Sequence, residues 1–309
     1  MNQAMAGTSY HTPVMLQESI SALQVDPEGV YVDATFGGGG HSMAILEMLK
    51  GGMLIAFDQD EEAREQAERV GSRSFKFCHA NFRYMKQYLK LHGITAVNGV
   101  LADLGVSSRQ IDSAARGFST RFDGPLDMRM NRRQTLTAAQ VLNTYSVEDL
   151  HRILGMYGEI RNARTAAGAI ARARTERAFA RTTDLTSALR SLAPRGRENK
   201  YFAQVFQALR IEVNEEMKAL EDFLHQCGEV ILGGGRLVVI SYHSLEDRMV
   251  KNYMNTGKAF GALEKDIYGN PLRPFVPVTR KAMTPSAEEL AQNSRARSAR
   301  MRVAERVKE

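Results

Sequence analysis

The chain contains few residues that could cross-link it or anchor it in a membrane. Its 309 residues include two cysteines, Cys78 and Cys227, and no tryptophan. Two cysteines exclude a disulfide framework and a CxxC zinc pair, and they fit a reducing compartment best. No stretch approaches the roughly 18 consecutive apolar residues of a membrane span, and residues 1–10 lack the apolar core of a signal peptide. We therefore expect a cytoplasmic protein without a membrane partner.

The composition is that of a globular protein. Hydrophobic residues make up 43%, charged residues 25% and aromatic residues 7% of the chain, which argues against disordered, collagen-like and coiled-coil classes. A chain of this length can bury a sizeable core in one large domain or in a domain with an elaboration. The net charge of +6 is compatible with a polyanionic partner but does not establish one.

From Gly29 onward, short apolar runs alternate with longer amphipathic segments, which predicts a parallel sheet covered by crossover helices. Helices are expected to start near His41, Glu61 and Phe82, and the predicted strands are Val30–Ala34, Met53–Phe57, Phe75–Cys78 and Val97–Leu101. Asp33, Asp58 and Asp103 lie at the ends of the first, second and fourth of these strands. Because ligands of open α/β sheets bind beyond the carboxyl ends of the strands, we expect these aspartates to face one crevice.

A change of pattern after Gln110 predicts an insertion into the sheet domain. Residues 117–131 are irregular, and residues 138–209 have helical patterns without a strand candidate. The sheet pattern then returns, with a helix at Glu215–Gly228, a turn at Gly233–Gly235, a strand at Leu237–Ile240, a loop at Pro271–Pro285 and either a strand or a basic tail at Ser298–Val307. We therefore predict a discontinuous catalytic domain, residues 1–112 and 210–309, and an inserted helical substrate-recognition domain, residues 113–209.

A glycine cluster, Gly37–Gly40, follows the first predicted strand and precedes a helix. Glycines let the backbone turn sharply and approach a ligand, and the free N–H groups of a helix N-terminus attract anions. A simple strand-to-helix turn is the alternative. Asp58 follows the cluster at close to the roughly 20-residue spacing at which nucleotide-binding folds place an acidic residue on the ribose hydroxyls. A turn residue or a helix cap is the alternative for Asp58.

The glycine cluster does not fit the common phosphate-binding motifs. A G-x-G-x-x-G motif would need glycine at Ser42 or Met43, and a P-loop would need a lysine that is absent after the cluster. S-adenosylmethionine fits better because it has no pyrophosphate. Its carboxylate can accept hydrogen bonds from backbone N–H groups, and its ammonium can be held by an acidic side chain such as Asp33 or Asp103.

Several long blocks, in order along nearly the whole chain, carry a more specific signal. They are His11–Val14, Asp33–His41, Ala102–Ser108, Gly117–Ser119, Asp123–Met130, Phe206–Ile211, Ile240–Arg248 and Ser294–Ser298. In these blocks the chain resembles the bacterial 16S ribosomal RNA cytosine-N4 methyltransferases of the MraW type. It departs from the family pattern at Asn131, where aspartate is usual, and at Tyr201–Val205, where a Pro-Ala-Thr-Arg-Thr type sequence is common.

The resemblance implies an S-adenosylmethionine-dependent enzyme with a Rossmann-like class I methyltransferase sheet and an inserted all-helical subdomain. The implied substrate is a cytidine in the decoding centre of 16S rRNA, within the small ribosomal subunit or its precursor. Of the implied cofactor site, Gly39, Gly40 and His41 would contact the methionine part, Asp58 the ribose and Phe82 the adenine. The full set is Asp33, Gly37, Gly39, Gly40, His41, Asp58, Phe82, Asp103 and Gln110.

Methyl transfer depends mainly on alignment of nucleophile, methyl and sulfur, but cytosine N4 is a poor nucleophile because its lone pair is delocalised into the ring. Acceptors that hydrogen-bond the amino group would help it to shed a proton. Candidates for this catalytic role follow the fourth and the resumed strands: Asp103, Ser241, His243 and Ser244. Asp103 could instead be a pure cofactor ligand, and His243 a structural residue.

Two other kinds of chemistry are disfavoured. His243, Glu246 and Asp247 could mimic a metal site, but no second histidine is nearby in sequence, so we expect no metal. Methylation at cytosine C5 normally requires a thiolate, whereas Cys78 lies in a predicted strand and Cys227 ends a predicted helix. An exocyclic nitrogen is therefore the more natural acceptor.

The inserted segment is rich in arginine, which suits phosphate binding, although a solvated basic face is the alternative. Arg161 and Arg172 are expected on one flank of a helix with a core stripe on its other side, at Ile160, Ala163, Ala167 and Ile170. The irregular segment 117–131 is expected to shape a pocket for a base turned out of its stack. The candidate substrate contacts are Asp123, Asp127, Arg129 and Arg210.

Two further readings of the sequence remain open. A nicotinamide-dependent oxidoreductase would use the same kind of sheet, although the third glycine of its motif is missing. A non-catalytic RNA-binding assembly factor could keep the fold, although it would have no need of the intact aspartates and glycines. The sequence does not distinguish a monomer from a homodimer.

Overall fold

The computed structural model describes residues 13–308 of the chain. His11 and Thr12, in the first of the sequence blocks, lie outside the described residues. Across residues 13–308, no helix has the length and apolar character needed to cross a lipid bilayer.

Seven strands of the described chain form one sheet. They are β1 (Val30–Asp33), β2 (Met53–Asp58), β3 (Phe75–His79), β4 (Val97–Asp103), β5 (Ile231–Ser241), β6 (Phe275–Pro277) and β7 (Arg300–Arg306). Their order is β3-β2-β1-β4-β5-β7-β6, and β1 to β5 run parallel while β7 is antiparallel to its neighbours β5 and β6. The predicted α/β class, a Rossmann-like methyltransferase sheet, is confirmed.

Helices cover the sheet and make up most of the inserted segment. The α-helices are α1 (Leu16–Leu23), α2 (Gly40–Met48), α3 (Glu61–Ala67), α4 (Met85–Leu91), α5 (Ser108–Asp112), α6 (Ala138–Thr144), α7 (Val147–Met156), α8 (Ala163–Glu176), α9 (Thr182–Leu189), α10 (Glu198–Asn214), α11 (Glu216–Val230), α12 (Ser244–Thr256) and α13 (Ala287–Gln292). Short 3₁₀ turns lie at Phe82–Tyr84, Ala114–Arg116, Arg190–Leu192 and Ser294–Ser298.

The described residues divide into two compact units, residues 13–105 with 220–308 and residues 106–219. In the first unit, the strands β2 and β4 are buried along nearly their whole length, as expected of parallel strands with both faces covered. Side chains of α1, α2 and α13 pack on one face of the sheet against residues such as Leu54, Leu101 and Val238. Since β1 lies between β2 and β4, the connections after β1 and β4 leave in opposite directions and open a crevice at the carboxyl ends of these strands.

The second unit has a helical core of its own. Buried side chains of α6 to α10 form one cluster, and the stripe expected on α8 is present, since Ala163, Ala167 and Ile170 are buried. Arg172 is exposed on α8, as expected, whereas Arg161, also exposed, lies in the turn before α8, so the expectation that both arginines share one helix was wrong. The predicted insertion, residues 113–209, falls within this unit, and its role in substrate recognition stays a prediction.

Two sequence expectations about the C-terminal part were wrong. The glycines Gly233–Gly235 do not form a turn before a strand but lie inside β5, where its pairing with β4 shifts register between Val97 and Gly99. A bulge of this kind tolerates only small residues, because a Cβ on Gly235 would lie 2.5 Å from the Asn98 carbonyl oxygen. The expected loop at Pro271–Pro285 contains the edge strand β6, and the segment left open as strand or tail contains β7.

Candidate active site

Three aspartates end the strands β1, β2 and β4 at the crevice. Asp33 is fully buried, whereas Asp58 and Asp103 are partly exposed. Burial is the main cause that raises the pKa of all three, to about 6 for Asp58 and for Asp103. The negative charge of Asp33 further raises the pKa of the other two, so the three carboxyl groups lie close enough to interact.

Asp33 connects the end of β1 to the helix that follows. Its Oδ1 accepts a hydrogen bond from the Thr35 amide (3.0 Å), and its Oδ2 accepts one from the Ser42 hydroxyl (2.6 Å) on α2. The Thr35 hydroxyl in turn accepts a hydrogen bond from the Asp103 amide (2.7 Å). The ends of β1 and β4 are therefore fixed to each other through Thr35.

Asp58 holds in place the glycine loop, Gly37–Gly40, that follows β1. Its Oδ2 accepts a hydrogen bond from the Gly37 amide (2.8 Å), and its Oδ1 accepts one from the Asp60 amide (2.9 Å). Asp60 is the N-cap of α3, where its side chain accepts from the Glu62 amide. The turn after β2 and the loop after β1 are thus fixed through one carboxylate.

The glycine loop needs glycine for two different reasons. Gly37 and Gly39 adopt positive φ angles of 52° and 82°, a region that favours glycine. Gly40 begins α2, and a Cβ on it would lie 2.1 Å from Cγ of Pro13. His41 is buried behind the loop, where its Nε2 lies 3.1 Å from the Val14 carbonyl oxygen.

Asp103 pairs with Tyr242, a residue from the turn after β5. The Tyr242 hydroxyl donates to Oδ1 of Asp103 at 2.8 Å. Burial raises the pKa of Asp103, while the charge of His41 and this hydrogen bond oppose the rise. Burial and the nearby carboxylate raise the pKa of Tyr242, so its hydroxyl keeps its proton. Sequence reasoning missed this contact.

The other candidate catalytic residues follow β5. Ser241 is buried, and its hydroxyl donates to the Arg300 carbonyl oxygen on β7 at 3.3 Å. His243 is the N-cap of α12 and accepts the Glu246 amide at Nδ1 (3.4 Å). Its Nε2 lies 3.2 Å from Oε1 of Glu246 but without hydrogen-bond geometry. Ser244 is the first residue of α12.

The sequence profile of the MraW methylase family matches residues 8–307. The chain belongs to this family. It is 57% identical over 297 residues to the ribosomal RNA small subunit methyltransferase H of Cytophaga hutchinsonii, covering 96% of this chain and 99% of that protein. It is 52% identical over 300 residues to the protein of the same name from Amoebophilus asiaticus, with 97% of each chain covered.

Among solved structures, an rRNA methylase from Streptococcus thermophilus matches 97% of this MraW-family chain and 100% of its own, at 13% identity and a TM-score of 0.39. A likeness this remote carries no argument about function. Membership of a methylase family makes the chain a methyltransferase and confirms the predicted cofactor, S-adenosylmethionine. The nicotinamide-dependent alternative was wrong.

The charge of the crevice in this MraW-family chain fits that cofactor. S-adenosylmethionine carries a sulfonium and an ammonium against one carboxylate, so it is a cation near neutral pH. With pKa values of about 6, Asp58 and Asp103 are mostly ionised at that pH. Carboxylates at three neighbouring strand ends attract such a cation and would repel a pyrophosphate. The open side of Gly37, where a Cβ would meet only the Thr35 carbonyl oxygen at 3.9 Å, leaves room for a ligand against the loop.

Phe82, the predicted adenine neighbour, begins the 3₁₀ turn after β3. Its ring meets that of Phe223 on α11 edge-on, with 5.1 Å between ring centres. Gln110 lies in the second unit, where it forms a capping box with Ser107 at the start of α5. Their contacts with the cofactor stay predictions.

The candidate substrate residues of the second unit are all in ion pairs. Asp127 accepts two hydrogen bonds from the Arg129 guanidinium (2.7 and 2.8 Å), and Arg210 donates two to Glu216 (2.7 and 2.8 Å). The Asp123–Arg181 pair (2.6 Å) is far more exposed. Although burial alone would raise it, the pKa of Asp127 is held below its usual value by Arg129.

Two polar residues that sequence reasoning missed fix the segment around Asp127. The buried Arg116 donates to the carbonyl oxygens of Arg129 (3.0 Å) and Met130 (3.1 Å). The buried Asn214 on α10 donates to the Met128 carbonyl oxygen (2.8 Å) and accepts from the Met130 amide (2.7 Å). Met128 has a φ of 59°, so these contacts hold a strained backbone. No local motif marks either residue.

The geometry of Ser241 leads to a first prediction. We expect Ser241→Ala to lower the free energy of unfolding by about 0.5–1.5 kcal/mol, because a buried hydrogen bond between β5 and β7 is lost. Methyl transfer should change little, because the hydroxyl is directed to a backbone carbonyl. Thermal unfolding and initial rates with labelled cofactor measure both quantities. A drop in turnover without loss of stability would instead support the catalytic role proposed from the sequence.

Proposed function

We propose that the chain methylates the N4 amino group of a cytidine in the decoding centre of 16S rRNA, within the small ribosomal subunit or its precursor. The observation that carries the proposal is the 57% identity, over nearly the whole of both chains, to a relative named ribosomal RNA small subunit methyltransferase H. The sequence blocks shared with MraW-type cytosine-N4 methyltransferases support the choice of N4.

The state of the cysteines also supports an exocyclic nitrogen as acceptor. Cys78 and Cys227 are both buried. Burial raises the pKa of Cys78 to about 11 and that of Cys227 well above its usual value. Neither thiol can supply the thiolate that attack at cytosine C6, and hence C5 methylation, would require.

In this proposal each of the three aspartates at the crevice has a different role. Asp58 accepts the ribose hydroxyls, and the N–H groups of the glycine loop face the carboxylate of the methionine part. Asp33 binds the ammonium. Its hydrogen bonds to the Thr35 amide and the Ser42 hydroxyl hold its side chain beside the two ends of the same loop. When bound, the cofactor supplies a methyl group on a sulfonium that leaves readily. The remaining task, activation of the acceptor, falls to Asp103.

Asp103 is suited to accept a proton from cytosine N4. The Tyr242 hydroxyl engages Oδ1, which orients the carboxylate, and we assign Oδ2 to the amino group. A pKa of about 6 leaves Asp103 ionised at neutral pH yet more basic than an ordinary aspartate. With Asp33 assigned to the ammonium, Asp103 need not serve both purposes. His243 and Ser244 stay candidates for further contacts to the base.

The second unit is the proposed RNA-binding part. Exposed arginines on and around α8, among them Arg161, Arg164, Arg172 and Arg177, provide positive charge for phosphates. The segment 117–131 presents Asp127 and Arg129 as a fixed pair, and a turned-out base needs such fixed polar groups to be recognised. Arg210, held by Glu216, is a further candidate contact.

Asp127→Ala should therefore lower methyl transfer by up to about 100-fold while cofactor affinity changes little, because the Arg129 guanidinium loses the carboxylate that accepts two of its hydrogen bonds. Asp123→Ala should have the same sign but stay within about fivefold, since the Asp123–Arg181 pair is half exposed. Steady-state rates on small ribosomal subunits and calorimetric cofactor binding measure the two effects. Equal losses of turnover and cofactor affinity would contradict a substrate role for this segment.

The proposed function is tested by methyl transfer from labelled S-adenosylmethionine to purified small subunits, followed by digestion of the RNA to nucleosides. We expect labelled N4-methylcytidine with the wild type and none with Asp103→Ala. Cofactor binding without incorporation into subunits or precursor particles would overturn the assigned acceptor. Absence of cofactor binding would favour the assembly-factor alternative.

A further inference from the structure

Residues 257–283, between α12 and β7, contain an exposed turn with two large apolar side chains at its tip. Ile267 is 92% and Tyr268 is 81% exposed. We call residues 265–271 the tip loop. Tips of exposed turns are usually occupied by small polar residues, so an aromatic and an aliphatic side chain together at this position require an explanation.

The tip loop is a defined structure. Asp266 accepts hydrogen bonds at Oδ1 from the amides of Tyr268 and Asn270 (both 2.8 Å) and at Oδ2 from the Asn270 side chain (2.9 Å). The Gly269 amide donates to the Asp266 carbonyl oxygen at 3.0 Å, and Lys265 pairs with Pro271 in an antiparallel bridge. Four backbone amides of the turn, those of Asp266, Tyr268, Gly269 and Asn270, thus donate within the turn, and Tyr268 is displayed from a backbone held by these bonds.

The two arms of the tip loop, residues 257–264 ascending to it and residues 272–283 descending from it, are also fixed to the body of the first unit. The side-chain amide of Asn252 on α12 donates to the carbonyl oxygens of Lys258 (2.8 Å) and Gly261 (3.2 Å) on the ascending arm. Arg273 on the descending arm donates to the Asn255 carbonyl oxygen at 3.2 Å. A ligand at the tip would therefore bind without first having to order the loop.

The charge of the segment favours a polyanion as that ligand. Residues 257–283 contain five basic and two acidic side chains. Both acidic groups are engaged locally, because Glu264 pairs with Lys258 and Asp266 caps the turn. The exposed lysine Lys265 adjoins the tip, and the exposed Arg280 and Lys281 follow on the same segment.

We propose that the tip loop is an RNA-contacting element in which Tyr268 stacks on an unpaired base and Lys265 contacts a neighbouring phosphate. Single-stranded RNA is bound by this combination of aromatic faces and positive charge. The tip loop is a turn held by Asp266 and not an amphipathic helix, so it lacks the continuous apolar face of a membrane anchor of that type. The inference rests on the proposed RNA substrate and adds a contact in the first unit, outside the arginine-rich second unit.

The absence of tryptophan from the chain makes a direct test possible. Tyr268→Trp introduces the only tryptophan at the tip, and Leu91→Trp places one at another exposed position, 76% accessible, at the end of α4. We expect an RNA stem–loop with an unpaired loop to quench the fluorescence of Tyr268→Trp in a saturable way and to leave Leu91→Trp unchanged. Equal quenching of both variants would overturn the proposal. So would a response of Tyr268→Trp only to anionic phosphatidylglycerol vesicles, or only to protein concentration.

Affinity for the same fluorescein-labelled stem–loop provides the second measurement. Tyr268→Ala should weaken binding about 5- to 150-fold, the range measured for loss of a stacked aromatic, whereas Tyr268→Phe should bind as the wild type does. Cofactor affinity and melting temperature should stay unchanged, since the side chain is exposed. Equal RNA affinity of wild type and Tyr268→Ala overturns the proposal. If the wild type still methylates small subunits in that case, the proposed function stands and only the tip-loop contact fails.

Discussion

Asp103→Asn should lower the rate of methyl transfer by about 10²- to 10⁴-fold, the usual contribution of a positioned proton acceptor. Asparagine has nearly the shape of aspartate, and its carbonyl oxygen can still accept the hydrogen bond from Tyr242. The loss should therefore reflect the missing negative charge rather than a collapsed site. Single-turnover rates with saturating cofactor measure the effect.

The pH dependence of the wild type gives an independent check. Only the ionised form of Asp103 can accept a proton, so the rate should fall as the pH drops through about 6. The Asp103→Asn variant should lack this acidic limb. Tyr242→Phe should move the limb to higher pH, because the hydrogen bond from Tyr242 lowers the pKa of Asp103 and its removal lets that pKa rise.

The same variants distinguish the two roles considered for Asp103. If Asp103 only holds the cofactor, Asp103→Asn should weaken S-adenosylmethionine binding strongly, and turnover at saturating cofactor should be largely retained. Calorimetric binding next to single-turnover rates separates these cases. Retained turnover would shift the acceptor role to the turn after β5, where His243 and Ser244 start α12.

The positions of the three aspartates could be predicted because they follow from chain-local patterns. The apolar runs that form β1, β2 and β4 each end at an aspartate, and parallel strands place their carboxyl ends at one edge. The Tyr242–Asp103 contact joins residues far apart in sequence. It exists because β4 and β5 pair with Asp103 opposite Ile240, so the turns after both strands meet. No local pattern specifies that register.

The errors in the C-terminal part also have physical causes. Glycines at 233–235 favour a turn by themselves, but Ile231 before them and Arg236 after them both pair with β4, so the glycines lie within β5 as an irregularity. Pro277 made a strand at Phe275–Pro277 unexpected, yet proline is compatible with an edge strand. Among the described strands it pairs only with β7, and the fully buried Phe275 anchors it. Tertiary pairing, which sequence patterns do not contain, decided both cases.

Asp58→Asn should weaken S-adenosylmethionine binding by about 100-fold or more, since hydrogen bonds to a charged acceptor contribute about 1.5–3 kcal/mol each and the ribose offers two. Wild-type affinity should also decline as the pH falls through about 6, because the protonated form of Asp58 accepts fewer hydrogen bonds. Asp60→Asn is the matched control. Asparagine is as good an N-cap as aspartate, so α3 should stay intact while a neighbouring charge is removed.

The Asp60→Asn control should itself change the pH dependence of cofactor binding, in a defined direction. The charge of Asp60 raises the pKa of Asp58, so Asp60→Asn should shift the pH dependence of binding to lower pH and leave affinity at neutral pH nearly unchanged. Equal losses of affinity in Asp58→Asn and Asp60→Asn would contradict a specific ribose contact. They would indicate instead that cofactor binding responds only to the total negative charge of the crevice.

The free energy of unfolding should also depend on the ionisation of Asp58. In the wild type it should decrease as the pH rises, whereas cofactor affinity should increase. The pKa of Asp58 is 3.8 when exposed and about 6 in the fold, so the native state holds this proton more tightly and loses stability as the pH rises from about 4 to about 6. At about 1.4 kcal/mol per pKa unit the loss is at most about 3 kcal/mol, and less for a carboxylate that is partly exposed. The variant lacks this loss, so its stability relative to the wild type should increase between these pH values. Urea unfolding at several pH values measures the trend. If the difference in unfolding free energy between the variant and the wild type does not change with pH, ionisation of Asp58 does not destabilise the fold. The crevice would then tolerate the carboxylate without a bound cation.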